Sequence, residues 1–327
     1  MTAHEPHAIA GHRIVTLTMN PALDITTSTD VVHSTDKLRC ASPRYDPGGG
    51  GINVAHMADV LGASATAIYP AGGSAGDMIT RLLTAEGVSV HPVHIGGSTR
   101  ESVTVNERTT DRQYRFVLPG PELTLAEQTE CLLQLRRAAA SAAMVVASGS
   151  LPPGVPPDFY QQVATVCEEI GALLILDTSG GGLKHVNSGV FLLKPSVREL
   201  RECVGRDLLT ESDQIAAARE LIGRGCAHYI VVSLGAQGAL LVTPDSAHRF
   251  PPIPVPAGSG VGAGDAMVAG IAVGLTRGWP LAKAVRLGSA AGAAKLLTPG
   301  TAPCTRDDTE RLFEQAGQPV DIDLVAG

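Results

Sequence analysis

The segment with the clearest chemical potential is rich in glycine and ends in an acid: Gly260-Val261-Gly262-Ala263-Gly264-Asp265. Residues 266 to about 277 then form a long apolar run that predicts a helix. Glycines at a helix start let an anion reach backbone N–H groups at the positive end of the helix dipole. A carboxylate beside a bound phosphoryl group can accept the proton of a substrate hydroxyl. The segment therefore predicts an anion site with Asp265 as general base, against the alternative that Asp265 only caps the helix.

Two earlier segments could contact a ligand. Gly48-Gly49-Gly50-Gly51 precedes a predicted helix whose first turn carries Asn53. Such a run forms a hinge or a place where a ligand touches bare backbone, and the alternative is a flexible connector. Asp24 lies just beyond the first predicted strand, where ligands of open α/β sheets bind. It could accept hydrogen bonds from sugar hydroxyls, although an ordinary turn aspartate has the same pattern.

Three cations and one capping motif complete the set of polar candidates. Lys37, Arg39 and Arg100 are residue types that bind phosphate groups, and cations over a glycine-rich cleft would suit a phosphorylated substrate. Each could equally be a solvated surface charge. Ser196 and Glu199 have the spacing of a capping box, with Ser at the N-cap and Glu three residues later.

Other catalytic motifs are missing or weak. The last glycine of a dinucleotide fingerprint would fall at Met267, and the chain has no Gly-Lys dipeptide, which excludes a Walker A loop. Residues 72–76, Gly-Gly-Ser-Ala-Gly, match the G-x-S-x-G pattern of a hydrolase, and Asp177 followed by His185 or His248 has the required chain order. A hydrolase is therefore an alternative from a different reaction class.

These residues must be positioned by alternating strands and helices. Short apolar runs alternate with stretches of helical period, which is typical of βαβ units and predicts an α/β fold with a mainly parallel sheet. The predicted strands are residues 13–18, 66–71, 143–148, 173–177, 190–194 and 229–234. The predicted helices begin near residues 51, 75, 124, 157, 196, 211, 262 and 280.

Two segments, residues 24–45 and 100–118, break this alternation. Each predicts a pair of strands without a crossover helix, with Val31-Val32 and residues 38–40 as the strand candidates in the first segment. Both are too small to fold alone, so we expect them to form one small β-sheet lid over an edge of the main domain. That domain is predicted at residues 13–313, with flexible tails at 1–12 and 318–327.

Composition excludes several classes of protein. A chain of 327 residues with 44% hydrophobic residues can bury the core of one large α/β domain. Its 25 Lys+Arg against 32 Asp+Glu give a formal net charge of −7, so it lacks the basic face that nucleic acid requires. Its longest weakly polar stretch, residues 138–151, is too short for a membrane span, and the N-terminus does not resemble a secretory signal. We expect a cytoplasmic protein with no nucleic-acid or membrane partner.

Taken together, five motifs resemble those of the PfkB (ribokinase-like) family of sugar kinases. They are Asn20-Pro21-Ala22-Leu23-Asp24, Gly48-Gly49-Gly50-Gly51-Ile52-Asn53-Val54-Ala55, Ser148-Gly149-Ser150-Leu151-Pro152-Pro153-Gly154, Val232-Ser233-Leu234-Gly235 and Val261-Gly262-Ala263-Gly264-Asp265. The resemblance implies a ribokinase-like three-layer α/β core with a β-sheet lid that often forms a dimer interface. It also implies transfer of the ATP γ-phosphoryl group, with Mg²⁺, to a sugar phosphate. Fructose 6-phosphate is the first-choice acceptor, and tagatose 6-phosphate and fructose 1-phosphate are alternatives.

The resemblance further implies roles for individual residues. Asp265 would be the base, and the amides of Gly262, Ala263 and Gly264 would form an anion hole. The residues implied to hold sugar hydroxyls are Asp24, Gly49, Asn53 and Ser150. Those implied to hold the phosphate already on the substrate are Lys37, Arg39 and Arg100. Those implied to line the nucleotide are Lys194, Ser196, Ser233, Gly235 and Gly238, with Glu199 organising Mg²⁺ through water.

One departure from the family pattern concerns the metal-associated motif. The family usually has Asn at the first position of this motif, where the chain has Ser196, three residues before Glu199. Serine keeps a hydroxyl and the helix cap but loses the carboxamide, which could weaken the positioning of Mg²⁺ or phosphate. A weakly active, sugar-phosphate-binding regulatory protein is therefore the alternative from a different functional class.

Overall fold

The computed structural model describes residues 13–34, 37–256, 258–298, 300 and 302–322, so the predicted tail at residues 1–12 lies outside the described part. The strands are β1 (Arg13–Leu17), β2 (Ala22–Thr29), β3 (Arg44–Gly48), β4 (Ser64–Ala71), β5 (Ser89–His94), β6 (Arg100–Glu107), β7 (Arg112–Val117), β8 (Met144–Ser148), β9 (Leu173–Asp177), β10 (Val190–Leu193), β11 (Ala227–Ser233), β12 (Ala239–Val242), β13 (Ala247–Phe250) and β14 (Val320–Asp321). The helices are α1 (Gly50–Val60), α2 (Gly73–Ala85), α3 (Leu125–Ala139), α4 (Phe159–Ile170), α5 (Gly181–Lys184), α6 (Val197–Val204), α7 (Glu211–Gly223), α8 (Ala263–Thr276), α9 (Leu281–Lys295) and α10 (Arg306–Gln315).

A large sheet lies at the centre of the molecule, with the described strands in the order β14-β13-β12-β11-β10-β9-β8-β1-β4-β5. Pairing is parallel from β5 to β11 and antiparallel from β11 to β14. This confirms the predicted mainly parallel sheet, and all six predicted strands form within two residues of their predicted bounds. The sequence did not reveal β5, which contains a proline, or the short strands β12 and β13 at the antiparallel edge.

Helices cover both faces of this sheet and give the predicted three-layer arrangement. One apolar core packs α1, α8 and α9 against one face, and a second packs α3, α4 and α7 against the other. Successive strand residues point to opposite faces, so Met144 and Val146 belong to the first core whereas Val145 and Ala147 belong to the second.

A second, four-stranded sheet forms the predicted lid, in the order β3-β2-β6-β7. The β6–β7 hairpin confirms the prediction for residues 100–118. The prediction for the first segment is wrong in position, because Val31-Val32 and residues 38–40 are not in strands. The strands of that first segment are β2 and β3 instead, which pair antiparallel, while β2 pairs parallel with β6. The lid therefore depends on two segments separated by α1, β4, α2 and β5.

Of the predicted flexible tail at residues 318–327, residues 323–327 lie outside the described part, and the start of the tail contains a strand in the structure. Val320 and Asp321 form β14, which pairs with Arg249 and His248 of β13. The exposed edge of β13 offers unpaired backbone groups that such a segment can satisfy, which outweighs the acidic character of the segment.

Helices α8 and α9 cross at a point where their backbones touch. A Cβ atom on Gly270 would lie 2.7 Å from the Cα of Gly288, and one on Gly288 would lie 2.6 Å from the carbonyl oxygen of Met267. This crossing fixes the depth of α8 against α9. In the described part of the chain, no helix is both long enough and apolar enough to span a membrane.

The glycine contact between α8 and α9 generates a stability prediction. We expect Gly270→Ala to lower the free energy of unfolding by about 1–3 kcal/mol, because the added methyl group overpacks a backbone contact. Gly223→Ala at the end of α7 is the matched control, since a Cβ there meets nothing within 4 Å. Urea unfolding followed by circular dichroism measures both, and a Gly270→Ala protein as stable as the control would refute the close-contact argument.

Candidate active site

The glycine-rich segment forms the turn that starts α8. Gly262 is the N-cap and has a φ of +79°, a left-handed conformation that favours glycine. The amide of Ala263 donates to the carbonyl oxygen of Gly260 at 3.2 Å. The amides of Gly264 and Asp265 lie in the first helical turn, where the helix itself provides no acceptor. The start of α8 therefore presents N–H groups and the positive end of the helix dipole to a ligand.

Asp265 is held at this helix start by residues distant in sequence. Its Oδ2 accepts a hydrogen bond from Asn53 Nδ2 at 2.8 Å, and its Oδ1 accepts one from Ser148 Oγ at 3.5 Å. Burial, and then the negative charge of Asp177, raise the pKa of Asp265 to about 7 against the opposing effects of Asn53, Lys194 and Ser148. A carboxyl group with this pKa can take up a proton near neutral pH, as a general base requires.

A polar cavity of about 380 Å³ lies between the lid and the start of α8. Its lining residues are Ala22, Asp24, Gly49, Asn53, Arg100, Ser102, Arg115, Val117, Gly260, Val261, Gly262 and Asp265. The structure therefore brings together four of the residues predicted to hold sugar hydroxyls or phosphate, Asp24, Gly49, Asn53 and Arg100. Burial raises the pKa of Asp24 to about 6, although Arg115 and Arg100 lower it.

Two arginines give this cavity its positive charge. Arg100 donates to the carbonyl oxygens of Asn20 at 3.1 Å and Leu118 at 3.3 Å, which hold its guanidinium in place. Arg115 on β7 was missed at the sequence level. The period-two alternation of β7 was the available signal, because it places Arg115 and Val117 on the same face of the lid, and both line the cavity.

A second cavity of about 470 Å³ lies on the other side of the α8 start. It contains Ser233, Gly235 and Gly238, three of the residues predicted to line a nucleotide. The remaining lining residues are Ala236, Pro251, Pro252, Ile253, Gly260, Ala263, Gly264, Met267, Ser289, Gly292, Ala293 and Leu296. Because Gly260 lines both cavities, the two meet at the turn that precedes α8.

A buried ion pair lies beneath this turn. Lys194 Nζ is 3.2 Å from Asp177 Oδ1, and Lys194 is buried. The same Nζ lies 3.6 Å from the position that a Cβ on Gly264 would occupy. Lys194 therefore adds a positive charge beside the first-turn amides. The sequence had pointed to Asp177 only as a member of a hydrolase triad.

The Ser196–Glu199 pair forms the predicted capping box. Glu199 Oε2 accepts hydrogen bonds from the amide and the hydroxyl of Ser196, both at 2.8 Å, and Ser196 Oγ accepts one from the Glu199 amide at 3.3 Å. Ser196 also bridges to Ser233 at the end of β11. Within the described residues, no group of three or more His, Cys, Asp and Glu side chains is arranged to hold a metal ion.

Three of the predicted substrate residues do not line either cavity. Lys37 and Arg39 are on the exposed connection between β2 and β3, where the Arg39 carbonyl oxygen accepts from Thr29 Oγ1 at 3.5 Å. Thr29 is at the opposite end of β2 from Asp24. Ser150 Oγ accepts a hydrogen bond from Asn20 Nδ2 at 3.2 Å.

The structure does not bring together the serine, aspartate and histidine that the hydrolase alternative requires. Ser74 lies at the start of α2, which follows β4, whereas Asp177 ends β9, and β1 and β8 lie between these two strands. His248 is bonded to Ser246 and Asp321 at the antiparallel edge. The G-x-S-x-G pattern is therefore a glycine-rich turn into a helix.

The chain is similar in sequence and structure to known phosphofructokinases. Over 310 residues the chain is 67% identical to the ATP-dependent 6-phosphofructokinase isozyme 2 of Mycobacterium tuberculosis H37Rv, a match that covers 95% of this chain and 91% of that protein. It is 41% identical over 306 residues to the Escherichia coli K12 protein of the same name, covering 92% and 98% of the two chains. The crystal structure of phosphofructokinase-2 from Escherichia coli in complex with fructose-6-phosphate has a TM-score of 0.87 at 40% identity, covering 93% and 98%.

Two further comparisons concern assembly and fold. The tetrameric inhibited form of the Escherichia coli phosphofructokinase-2 also has a TM-score of 0.87 at 40% identity, with the same coverage. Arabidopsis thaliana ribokinase shares the fold, with a TM-score of 0.74 at 19% identity and coverage of 93% and 99%. The family model described as "pfkB family carbohydrate kinase" matches residues 17–308 of this chain. The chain therefore belongs to the pfkB family of carbohydrate kinases, enzymes that transfer a phosphoryl group to an alcohol.

Proposed function

We propose that this protein transfers the γ-phosphoryl group of ATP to fructose 6-phosphate and forms fructose 1,6-bisphosphate. The observation that carries the proposal is the meeting of two cavities at the start of α8. Asp265 lines the polar cavity, Gly264 lines the less polar one, and Gly260 lines both. Two substrates bound there would have their reacting ends at the first-turn amides. The names of the Mycobacterium tuberculosis and Escherichia coli relatives support this choice of substrate.

In the proposed reaction the acceptor hydroxyl bonds to the γ-phosphorus while the bond to the bridging oxygen of ADP breaks. The hydroxyl proton passes to the carboxylate of Asp265, which its raised pKa equips to accept it. The amides of Gly262 and Gly264 and the ammonium of Lys194 would stabilise charge that develops on the transferring group. The Ala263 amide, the third proposed member of this anion hole, would have to leave the Gly260 carbonyl oxygen to join them. Closure of the lid would exclude water, which otherwise competes as acceptor.

The polar cavity would hold the sugar phosphate. Asp24, Gly49 and Asn53 offer acceptors and donors to sugar hydroxyls, and Arg100 offers a positive charge to the phosphate. Ser150 does not line this cavity, and its Oγ accepts a hydrogen bond from Asn20. Lys37 and Arg39 remain proposed phosphate ligands on the lid connection. Tagatose 6-phosphate and fructose 1-phosphate present similar groups and are the alternative acceptors.

The less polar cavity would hold ATP, with Ser233, Gly235 and Gly238 along the nucleotide. Lys194 does not line this cavity but lies beside Gly264, which does, and would face the phosphates there. Mg²⁺ usually keeps several waters and binds through one or two carboxylates and the substrate phosphates, which suits a single nearby carboxylate such as Glu199. Bound Mg²⁺ would neutralise phosphate charge during transfer. Glu199 would act through water, and Ser196 keeps its cap intact in the place of the usual asparagine.

The lid also supports a proposal about assembly. Tyr45, Phe116 and Leu118 are large apolar side chains that are 40%, 55% and 49% exposed on the lid. Such a patch is typical of a surface that a second protein covers. We propose a homodimer through the lid, while the Escherichia coli relative is described as tetrameric in its inhibited form.

The role of Asp265 is the first prediction. We expect Asp265→Asn to lower kcat by roughly 10²- to 10⁴-fold, because the amide cannot accept the hydroxyl proton, while ATP still binds. ADP release is measured with Mg-ATP and each of fructose 6-phosphate, fructose 1-phosphate, tagatose 6-phosphate and fructose.

Asp245→Asn on the exposed β12–β13 turn is the matched control and should keep the wild-type rate. If fructose 6-phosphate is the acceptor, it gives the highest kcat/KM of the four sugars. If none of them stimulates ADP release by the wild-type protein, the proposed reaction is wrong and a regulatory binding protein becomes the better interpretation.

The pKa of Asp265 predicts a pH dependence. The base works in its ionised form, so kcat/KM should rise with pH up to about 7 and then level off. The sugar phosphate itself titrates at about pH 6, and ³¹P NMR of the free substrate separates that contribution. A profile that the substrate titration alone accounts for would contradict the raised pKa.

The lid interface predicts an oligomerisation phenotype. Phe116→Glu should convert the wild-type dimer to a monomer, because it places a charge in the apolar contact. Leu209→Glu is the control, since Leu209 is 86% exposed but outside the lid. Light scattering after gel filtration gives the masses, and a wild-type monomer or an unchanged Phe116→Glu mass would refute the proposed interface.

A further inference from the structure

Lys295 is a completely buried lysine that the proposed chemistry does not use. It is the last residue of α9 and has 0% exposure. Its Nζ donates to the carbonyl oxygen of Gly300 at 2.8 Å and to Thr298 Oγ1 at 3.2 Å. Lysine is among the residues least often found fully buried, and a buried ammonium normally requires compensating partners. Here those described partners are neutral oxygens, assisted by the negative end of the α9 dipole.

The side chain lies directly behind the turn that starts α8. Its Cε is 3.4 Å from the position that a Cβ on Gly262 would occupy. The preceding chain also packs on the end of α9, since a Cβ on Gly258 would overlap the carbonyl oxygen of Leu296. The phosphate-binding turn is therefore supported from behind by the last residues of α9, with Lys295 under its N-cap.

The same ammonium is connected to the lid through the segment that follows α9. The single hydroxyl proton of Thr298 lies between two acceptors, the carbonyl oxygens of Lys295 at 2.9 Å and Ala302 at 3.0 Å from Oγ1. A Cβ on Gly300 would lie 2.6 Å from Nη2 of Arg44, and Arg44 pairs with Asp46 at 2.8 Å on β3 of the lid. The Lys295 ammonium thus links the back of the α8 turn to a segment that contacts the base of the lid.

We infer that Lys295 is a positioning residue for phosphoryl transfer, whose ammonium, anchored on Thr298 and Gly300, holds its side chain against the turn at Gly262. The inference deepens the proposed function and rests on it. If this position only filled space, an apolar side chain of similar length would avoid the cost of burying a charge. A charge that bonds two loop oxygens can instead hold the first-turn amides in the direction where negative charge develops.

The experiment compares Lys295→Met, which is neutral and similar in length, with Lys295→Arg, which keeps the charge. Lys283→Met is the control, because Lys283 is an exposed lysine on the same helix that contacts the ring of Trp279. We expect Lys295→Met to lower kcat by roughly 10- to 100-fold through misplacement of the turn, with an unchanged KM for ATP. Lys295→Arg should recover part of this loss, and Lys283→Met should keep the wild-type kcat.

Amide hydrogen exchange provides a readout that does not depend on activity. In Lys295→Met, peptides that cover residues 258–264 and 298–302 should exchange faster than in the wild type, while the rest of α9 keeps its protection. If Lys295→Met does not fold, Thr298→Val removes one acceptor of the ammonium and should lower kcat and protection in the same two segments to a smaller extent.

The outcomes distinguish failure of the positioning role of Lys295 from failure of the proposed function. Wild-type kcat and exchange in Lys295→Met, or in Thr298→Val where that variant replaces it, would overturn the positioning role. Equal loss in Lys295→Met and Lys295→Arg would also overturn it, because volume and not charge would then matter. If the wild type shows no sugar-dependent ADP release, the proposed function fails, and exchange still decides whether Lys295 orders the turn.

Discussion

The site depends on holding one carboxylate, that of Asp265, at the start of α8 in a place where it is desolvated but still able to ionise. Its partners Asn53 and Ser148 are 212 and 117 positions away in the chain. The carboxylate is therefore positioned only when α1, β8 and α8 have packed together. The backbone contact between α8 and α9 fixes the depth of α8, and the turn at Gly262 aims the first amides. Each of these features serves the position of a single side chain.

This placement has a cost in stability. In the folded chain the pKa of Asp24 is about 6 and that of Asp265 is about 7, both above the usual value near 3.8. A raised pKa means that the fold binds a proton more tightly than the unfolded chain does. The stabilisation from these protonated groups is complete below pH 3.8 and is lost as pH rises through 6 and 7. The ionised base is thus maintained at neutral pH by the rest of the packing.

Sequence reasoning reached the strands, the two glycine turns and Asp265 because each has a local signature of periodicity or residue type. It grouped Lys37 and Arg39 with Arg100 as phosphate ligands, and that role stays a prediction; within one chain Arg39 lies near Thr29, at the end of β2 opposite Asp24, because proximity in sequence does not fix direction along a strand. It missed Arg115 and the role of Asp177, whose importance depends on which elements face each other. It also could not find Lys295, because a lone lysine at a helix end is normally a solvated charge.

The parallel sheet explains why the missed and the predicted residues meet. Strands β11, β10, β9 and β8 are consecutive neighbours, and Ser233, Lys194, Asp177 and Ser148 lie at or just beyond their carboxyl ends. Neighbouring strands are spaced by about 4.8 Å, so these side chains form a row that runs from the less polar cavity towards the polar one. The start of α8 lies over this row, where Gly264 is near Lys194 and Asp265 contacts Ser148. Strand β8 adjoins β1, and the chain continues from β1 into β2, the lid strand that carries Asp24. A donor phosphate chain laid along the row would therefore end beside Asp265, next to the cavity that Asp24 lines.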